Sequence, residues 1–427
     1  MSIKNILIFP AGTEIAFEIY NALKYSKFVR LFGGTSVECH ADFVFERCIG
    51  GLPFVDDKKL IESLNRVIEE NNIDYIYPAH DSVIMELTRR QNELKAAVVT
   101  SPLETVEICR SKNKTYEYLA EENYIPEVYN SEKDIDLYPV FIKPSVGQGA
   151  VGARRIDTRE ELITALSDGT EYTICEYLPG DEYTVDCFTD RHGNLRVVKF
   201  RQRERIRSGI AVRSRIIDAN DNIKAIAENI NKHFKFNGAW FFQVKKNLRG
   251  EYKLMEISPR IPGTMGISRN LGINFPLLTL YNMWGYDVSI IDNGNEILLD
   301  RAFISRFKTD ISYTDVYVDF DDTLVVNDKV NVQLIMFLYQ ALNKGKKIHL
   351  LTKHANNINE SLKKYRISED IFDEIIHISQ DKEKSQYISG NAIFIDDSFS
   401  ERRNVSEKCN IPVFDLDMIE SLLDWRM

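Results

Sequence analysis

The sequence predicts a multidomain chain of α/β and α+β character. Three observations carry this. The 427 residues correspond to about three domains at roughly 150 residues each. Apolar strands alternate with helical patterns at the start of the chain and again towards its end, as in parallel sheets covered by helices. Between them runs a stretch of short strands and turn residues around a Gly-rich loop. Boundaries are expected near 98 and 310, giving domains 1–98, 99–310 and 311–427. With no repeat and no low-complexity linker in the chain, the joins are expected to be tight.

Residues 3–9 have strand character and run into Pro10 and Gly12. This apolar stretch is too short for a signal peptide, so a first strand is expected. A helix follows with Ile15, Ile19, Ala22 and Leu23 on one face. Asp56 and Asp57 read as N-cap signals for a second helix carrying Leu60, Ile61, Leu64, Val67 and Ile68. Ile73–Pro78 reads as the next strand. The sheet is expected to be Rossmann-like, but the first turn, Pro10-Ala-Gly-Thr-Glu-Ile, lacks GxGxxG and does not support a dinucleotide cofactor. His80 and Asp81 follow the strand ending at Pro78, where open α/β sheets meet ligands; either faces a substrate or caps a loop.

Composition excludes several function classes. Lys and Arg number 54 against 64 Asp and Glu, a formal charge of −10, which argues against a nucleic-acid or membrane-surface role for the whole chain. No apolar run approaches the ~20 residues of a membrane helix. The six cysteines, at 39, 48, 109, 175, 187 and 409, form no CxxC pair. A reduced, cytoplasmic protein without structural zinc or disulfides is expected.

The middle region contains Val140-Phe-Ile-Lys-Pro-Ser-Val-Gly-Gln-Gly-Ala-Val-Gly152. A strand delivers Lys143 into a loop with Gly147, Gly149 and Gly152. Glycines admit close approach of backbone N–H groups to a polyanion, and the lysine neutralises phosphate charge. No Gly-Lys-Ser/Thr follows, so this is not a Walker A loop. Downstream come Cys175-Glu-Tyr-Leu-Pro-Gly-Asp-Glu-Tyr-Thr-Val-Asp186 and Leu254-Met-Glu-Ile-Ser-Pro-Arg260. Period two puts Glu256, Ser258 and Arg260 on one face, a poor core pattern but a good one around Mg²⁺ and phosphate oxygens. Arg201, Arg203, Arg205 and Arg207 are expected on one strand face, with Arg213 and Arg215 behind, as a solvated strand or as a basic wall for phosphate and carboxylate.

With these motifs, residues 1–310 resemble the ATP-grasp superfamily, in the carbamoyl-phosphate-synthetase-like branch of carboxylate–amine ligases. The resemblance implies a Rossmann-like pre-ATP-grasp domain followed by a two-lobed ATP-grasp domain. It implies ATP and Mg²⁺ (or Mn²⁺) as cofactors. Lys112 is then the first basic nucleotide contact, with Lys114 the competing choice, and Lys143 the second. The loop 145–152, with Gly147 and Gly149, is the phosphate lid. Glu176 and Leu178 sit at the adenine hinge and Glu182 at the ribose. Gln243 and Glu256 sit at the metal positions, and Arg260 where the transferring phosphate is touched. Ser258 stands where the family usually has Asn, so that second metal ligand is shorter and weaker.

The C-terminal region reads Val316-Tyr-Val-Asp-Phe-Asp-Asp-Thr-Leu324, an apolar strand ending in Asp319 and Asp321. Carboxylates this close resist joint ionisation unless a cation lies between them, and Asp serves both as nucleophile and as acid in phosphate chemistry. Thr352 ends a second strand, Lys382 and Lys384 follow, and Asp396 and Asp397 end a third. This set resembles the haloacid dehalogenase (HAD) superfamily of phosphatases. By that resemblance Asp319 is the nucleophile and a metal ligand, and Asp321 is the general acid/base and a further metal ligand. Thr352 binds phosphate, Lys384 (or Lys382) stabilises charge, and Asp396 and Asp397 complete the Mg²⁺ site. The gaps after Leu324 and Thr352 leave room for a helix, and for a helix and short strand, but not for a cap domain. A capless HAD-like α/β domain with an open site is expected.

The expected protein is therefore an ATP-dependent ligase acting through an acyl phosphate, fused to a Mg-dependent phosphatase. Its partners are a small carboxylate, an amine and a phosphorylated metabolite, with a homodimer allowed. An enzyme that stops at an acyl or carbamoyl phosphate, or a nucleotide sensor without turnover, are the alternatives.

Overall fold

The computed structural model describes residues 2–147 and 149–426. The chain divides into two compact units, Met1–Phe303 and Ile304–Met427.

The first unit opens with a five-stranded parallel sheet in the order Cys48–Ile49, Val29–Gly34, Lys4–Phe9, Tyr75–Pro78, Ala97–Val98. Its central strand shows why it is covered on both sides. Ile6 and Ile8 join one apolar cluster with Ile19 and Tyr77, while Leu7 and Phe9 join another with Leu60, Leu64 and Ile76. Period two sends alternate residues to opposite faces. The chain leaves this strand once towards Val29–Gly34 and later returns beside it at Tyr75–Pro78. The crevice between the two exits holds the Ala79–Asp81 turn. The helix expected after Asp56 begins later, at Leu60–Asn71, with no side-chain cap from Lys59. Asp57 instead accepts the Lys59 backbone N–H at 2.8 Å. It closes a local turn before the helix, as Asp side chains do.

Two antiparallel sheets follow. Four strands, ordered Val128–Tyr129, Tyr172–Glu176, Val140–Pro144, Arg154–Ile156, form a small lobe. Six strands form the larger, ordered Tyr252–Ser258, Gly238–Lys246, Glu182–Thr189, Leu195–Arg207, Ile210–Ile217, Leu298–Asp300. The Leu195–Arg207/Ile210–Ile217 hairpin turns on Ser208 and Gly209, both at positive φ (48° and 75°), as a tight two-residue hairpin turn requires. Trp240 is fully buried, stacks on Phe236 at 4.1 Å, and donates its N–H to the Thr189 hydroxyl at 2.8 Å.

The second unit is a five-stranded parallel sheet ordered Glu374–His377, Lys347–Thr352, Asp315–Val318, Ala392–Ile395, Val413–Phe414. Helices Val332–Asn343, Ile358–Lys364 and Phe399–Cys409 accompany it. Asn331 caps the first of these by accepting the Leu334 N–H at 3.2 Å. Between Leu324 and Ile348 lie a short hairpin, Val325–Val326 with Lys329–Val330, and that helix. Between Thr352 and Lys384 lie the Ile358–Lys364 helix and the Glu374–His377 strand, with a single 3-10 turn. The Asp315–Val318 strand is central, so its carboxyl end is flanked by those of Lys347–Thr352 and Ala392–Ile395. That adjacency collects Asp319, Thr352 and Asp396.

The six cysteines are free. Among the described residues no helix is long and apolar enough to cross a membrane.

Candidate active sites

In the first unit a cavity of about 320 Å³ lies between the Val140–Pro144 strand with its loop and the six-stranded sheet. Its wall includes Lys112, Lys143, Gly147, Gly149, Glu182, Gln243 and Glu256. Lys143 is buried; its ammonium donates to the Tyr116 hydroxyl at 2.7 Å and the Met255 carbonyl at 2.8 Å. Burial holds both Lys143 and Lys112 below the usual lysine range, with Glu256 opposing the shift in each. Two ammonium groups kept in low dielectric this way interact strongly with an incoming polyanion. Lys112, and not Lys114, reaches this wall.

Gln243 and Glu256 are direct cross-strand partners. A neutral amide oxygen and a carboxylate side by side are an oxygen donor set suited to a hard cation such as Mg²⁺. Arg203 holds this corner. It pairs with Glu182, donates to the Gln243 Oε1 at 2.9 Å, and donates to the Gly209 carbonyl at 2.8 Å. The lid tip meets the hairpin turn here: a Cβ on Gly209 would fall 2.6 Å from the Gly149 carbonyl oxygen.

Two smaller cavities adjoin. One, of about 70 Å³, is lined by Asp81, Arg110, Lys112, Glu256, Ser258 and Arg260. This unites the three residues expected on one face with a side chain from the first sheet. Arg260, expected at the transferring phosphate, lines both smaller cavities and is clasped by both oxygens of Asp81, and the Ser258 hydroxyl donates weakly to the same carboxylate at 3.4 Å. Arg260 therefore has its charge already matched, and Ser258 is turned to Asp81. His80 caps the Asp81–Arg89 helix, its Nδ1 accepting the Ser82 N–H at 3.3 Å. The other cavity, of about 170 Å³, includes Thr184, Arg201, Arg203 and Arg301.

The expected four-arginine face does not exist as such. The ladder slips between Arg203 and Arg205 and again before Ile206, and each bulge breaks the period-two alternation. Arg201 is fully buried against Asp186, Arg203 enters the cavities, and Arg205 pairs with the exposed Asp300. Glu176 and Leu178 lie outside the walls of these three cavities. The Glu176 carboxylate accepts the Glu127 N–H at 3.1 Å, and Leu178 is buried.

In the second unit Lys384 bridges Asp319 and Asp396 at 2.7 and 2.6 Å; Lys382 makes no such contact. Ligand oxygens of Asp319, Asp396 and Asp397 all lie within 4.8 Å of one another. Burial raises the Asp319 carboxyl above its usual range. It also pushes Asp396 up to about 6, with Asp319 adding to the rise and Lys384 opposing it. Three converging carboxylates fit a divalent cation. The Thr323 hydroxyl donates to Asp397 at 3.2 Å. Arg402 donates to the Asp396 and Asp397 carbonyls at 2.6 Å each. Thr352 is buried beside Asp319 and takes part in its hydrogen bonding. Asp321, expected among the metal ligands, stands outside the cluster. It is half-exposed and held by His354, whose Nδ1 lies 2.8 and 2.9 Å from its two oxygens.

Residues 169–297 match the family model described as ATP-grasp in the biosynthetic pathway with Ter operon. The chain contains an ATP-grasp domain. The matched segment carries Glu182, Gln243, Glu256 and Arg260; Lys112, Lys143 and the lid precede it. No curated protein matches the chain. Solved structures similar to it include the biotin carboxylase domain of 2-oxoglutarate carboxylase from Hydrogenobacter thermophilus, in complex with MgADP, ADP and bicarbonate. The identity is 16% and the TM-score 0.57, over 68% of this chain and 72% of that one. N5-carboxyaminoimidazole synthetase from Staphylococcus aureus, complexed with ADP, matches at 15% identity and TM-score 0.57, over 70% and 82%. The L-amino acid ligase from Bacillus licheniformis matches at 20% and 0.52, over 66% and 74%. At these identities the likeness is one of fold.

In each unit the sequence left several side chains unmarked. Tyr116, under Lys143, carries no signal beyond its place in a short helix. Arg110 donates to the Gly147 carbonyl at 3.1 Å; only its position two residues before Lys112 hinted at it. Arg301 and His354 belong to no motif. Asp186 ends a motif segment but gains its meaning only as the buried partner of Arg201.

Proposed function

We propose that the chain is a bifunctional enzyme: an ATP-dependent carboxylate–amine ligase joined to a Mg²⁺-dependent phosphatase of the HAD type. The observation that carries the ligase reading is the pairing of Gln243 with Glu256 in a cavity walled by Lys143, Lys112 and the Gly147–Gly149 loop. Oxygen donors for a cation stand beside ammonium donors for phosphate. The fold likeness to proteins solved with ADP and MgADP supports ATP and Mg²⁺ as its cofactors.

In this reading Lys112, Lys143 and the lid hold the polyphosphate, and Glu182 holds the ribose once Arg203 turns from it. Gln243 and Glu256 hold Mg²⁺, which when bound neutralises charge on the phosphoryl oxygens. The substrate carboxylate attacks the γ-phosphorus and ADP leaves, giving an acyl phosphate. The amine then attacks the acyl carbon and phosphate departs, leaving an amide. In the second unit Asp319 attacks a phosphate monoester. Asp321 delivers a proton to the departing oxygen and then takes one from the water that hydrolyses the aspartyl phosphate. Thr352 and Lys384 hold the phosphoryl oxygens, and Asp319, Asp396 and Asp397 hold the cation. Joining both activities in one chain suits a single biosynthetic intermediate, a small phosphorylated conjugate, because fusion raises the effective concentration of one site's product at the other.

Lys143→Ala should lower ATP-dependent ligation by ~10²–10³, the usual cost of one preorganised charge contact; full activity would sink the assignment. Asp319→Asn should abolish phosphomonoesterase activity and leave ligation intact, and loss of both would rule out two separate sites.

A further inference from the structure

The cavity of about 170 Å³ beside the nucleotide cavity has Arg201, Arg203, Arg260 and Arg301 on its wall, with Glu14 and Glu256 also lining it. The two cavities share Gly149, Arg203, Gln243 and Glu256. The smaller one therefore opens where, on the ligase reading above, the γ-phosphate is transferred.

Arg201 forms part of its wall and is 1% exposed. Asp186, itself fully buried, takes its Nε and Nη2 at 2.8 and 3.1 Å. The Nη1 is left buried with no hydrogen-bond partner. An unpaired donor on a buried charged group is costly, and such groups in native proteins call for an explanation. Arg203, two residues along the same strand, has its Nε in the same condition. Arg301 lines the same cavity and makes no salt bridge within 4 Å among the described residues, although its charge acts on the buried Glu18 from further off. Gly263 lines the cavity beside it: a Cβ there would stand 3.7 Å from the Arg301 Nη1, in ordinary contact. Arginine forks of this kind match carboxylate and phosphate. One anionic group must lie at the mouth, beside Glu256, to react. The donors on Arg201 and Arg301 are then left for another. A space of about 170 Å³ suits a small acid.

We propose that this cavity takes the carboxylate substrate, and that the substrate is a small acid bearing a second anionic group, carboxylate or phosphate, held by Arg201 and Arg301. The inference rests on the ligase reading and narrows its substrate class.

Calorimetric titration of the full chain tests it. Mg-ADP is bound first, and the complex is then titrated with succinate, 3-phosphoglycerate and butyrate. One of the two acids with a second anionic group should bind at least tenfold more tightly than butyrate, and which one does so identifies that group. The advantage should vanish in Arg301→Gln and return in part in Arg301→Lys, which keeps the charge. Equal binding of butyrate, no binding of any of the three acids, or an undiminished advantage in Arg301→Gln overturns the proposal while the ligase reading stands. Failure of Mg-ADP itself to bind would instead overturn the ligase reading and this inference with it.

Discussion

Asp81 holds Arg260 in a two-point ion pair, Nε and Nη2 donating to its two carboxylate oxygens at 2.6 and 2.7 Å. The pair ties the crevice of the first sheet to the end of the Tyr252–Ser258 strand. Arg260 lies over the Phe241 ring at 5.2 Å, so its guanidinium is fixed on its face as well as its edge.

The pair makes stability depend on acid. Burial works to raise the Asp81 carboxyl, but Arg260 outweighs it and holds the group at about 2. A carboxyl depressed in the folded state stabilises above its unfolded pKa, near 3.9. That contribution is lost as pH falls from about 4 towards about 2. Asp81→Asn should therefore be less stable by about 2 kcal/mol at pH 7, with the difference closing in acid. Denaturant melts of both proteins across pH 2–7 check this. Equal stability at pH 7 would show that the pair contributes nothing.

Gly209 governs how closely the hairpin turn meets the lid. Its φ of 75° strains any other residue, and an added Cβ would fall 2.6 Å from the Gly149 carbonyl oxygen. Gly209→Ala should cost ~1 kcal/mol in the turn and push the lid outward. The Michaelis constant for ATP should then rise roughly fivefold for a comparable loss in binding, with the fold kept. Steady-state ADP release measures it; an unchanged constant would mean the lid does not use this contact.

The parts legible in sequence are those whose information is local. Strand ends carry their polar residues in order, so Asp319, Thr352 and Asp396 could be placed from the strand pattern alone, and Lys143 followed from one strand and its glycines. What escaped depends on distance along the chain or on register. Asp81 and Arg260 are 179 positions apart, and no periodicity links them. Arg201, Arg203 and Arg205 looked equivalent because alternation was assumed through two bulges. Asp321 was grouped with Asp319 because the two share one motif, but its side chain lies outside the Asp319, Asp396 and Asp397 cluster. Its actual partner, His354, sits 33 positions on.

The carboxylates of the second unit should respond to magnesium. Asp319, Asp396 and Asp397 converge within 4.8 Å, and one ammonium, Lys384, cannot balance three negative charges. Without nucleotide, adding Mg²⁺ should raise the melting temperature of the chain, by about 2.7 kcal/mol of added stability at 100 times the dissociation constant. A chelator should reverse it, and Asp396→Asn should abolish it. Scanning fluorimetry reads this directly, and an Asp396→Asn protein that keeps the full Mg²⁺ shift would remove Asp396 from the site.

His354 sets the direction of Asp321. Its Nδ1 faces the carboxylate, its Nε2 lies 2.7 Å from the Ser361 hydroxyl, and its backbone N–H donates to Thr352 at 3.2 Å. With a carboxylate on one side, the ring is best satisfied as the tautomer that donates from Nδ1 and accepts from Ser361 at Nε2. Asp321 is half-exposed, its side chain 53% accessible, and a carboxyl so placed samples several rotamers unless tethered. His354→Ala removes that tether and leaves the Asp319 cluster untouched. Proton delivery to the departing oxygen should suffer while phosphate binding does not. The turnover number for phenyl phosphate, whose leaving oxygen is basic enough to need a proton, should fall by ~10²-fold, the scale of general acid–base assistance, with the Michaelis constant nearly unchanged. His354→Asn, which can still donate to Asp321, should recover part of the loss. A parallel rise in the Michaelis constant, or no loss of turnover, would mean that Asp321 needs no guide.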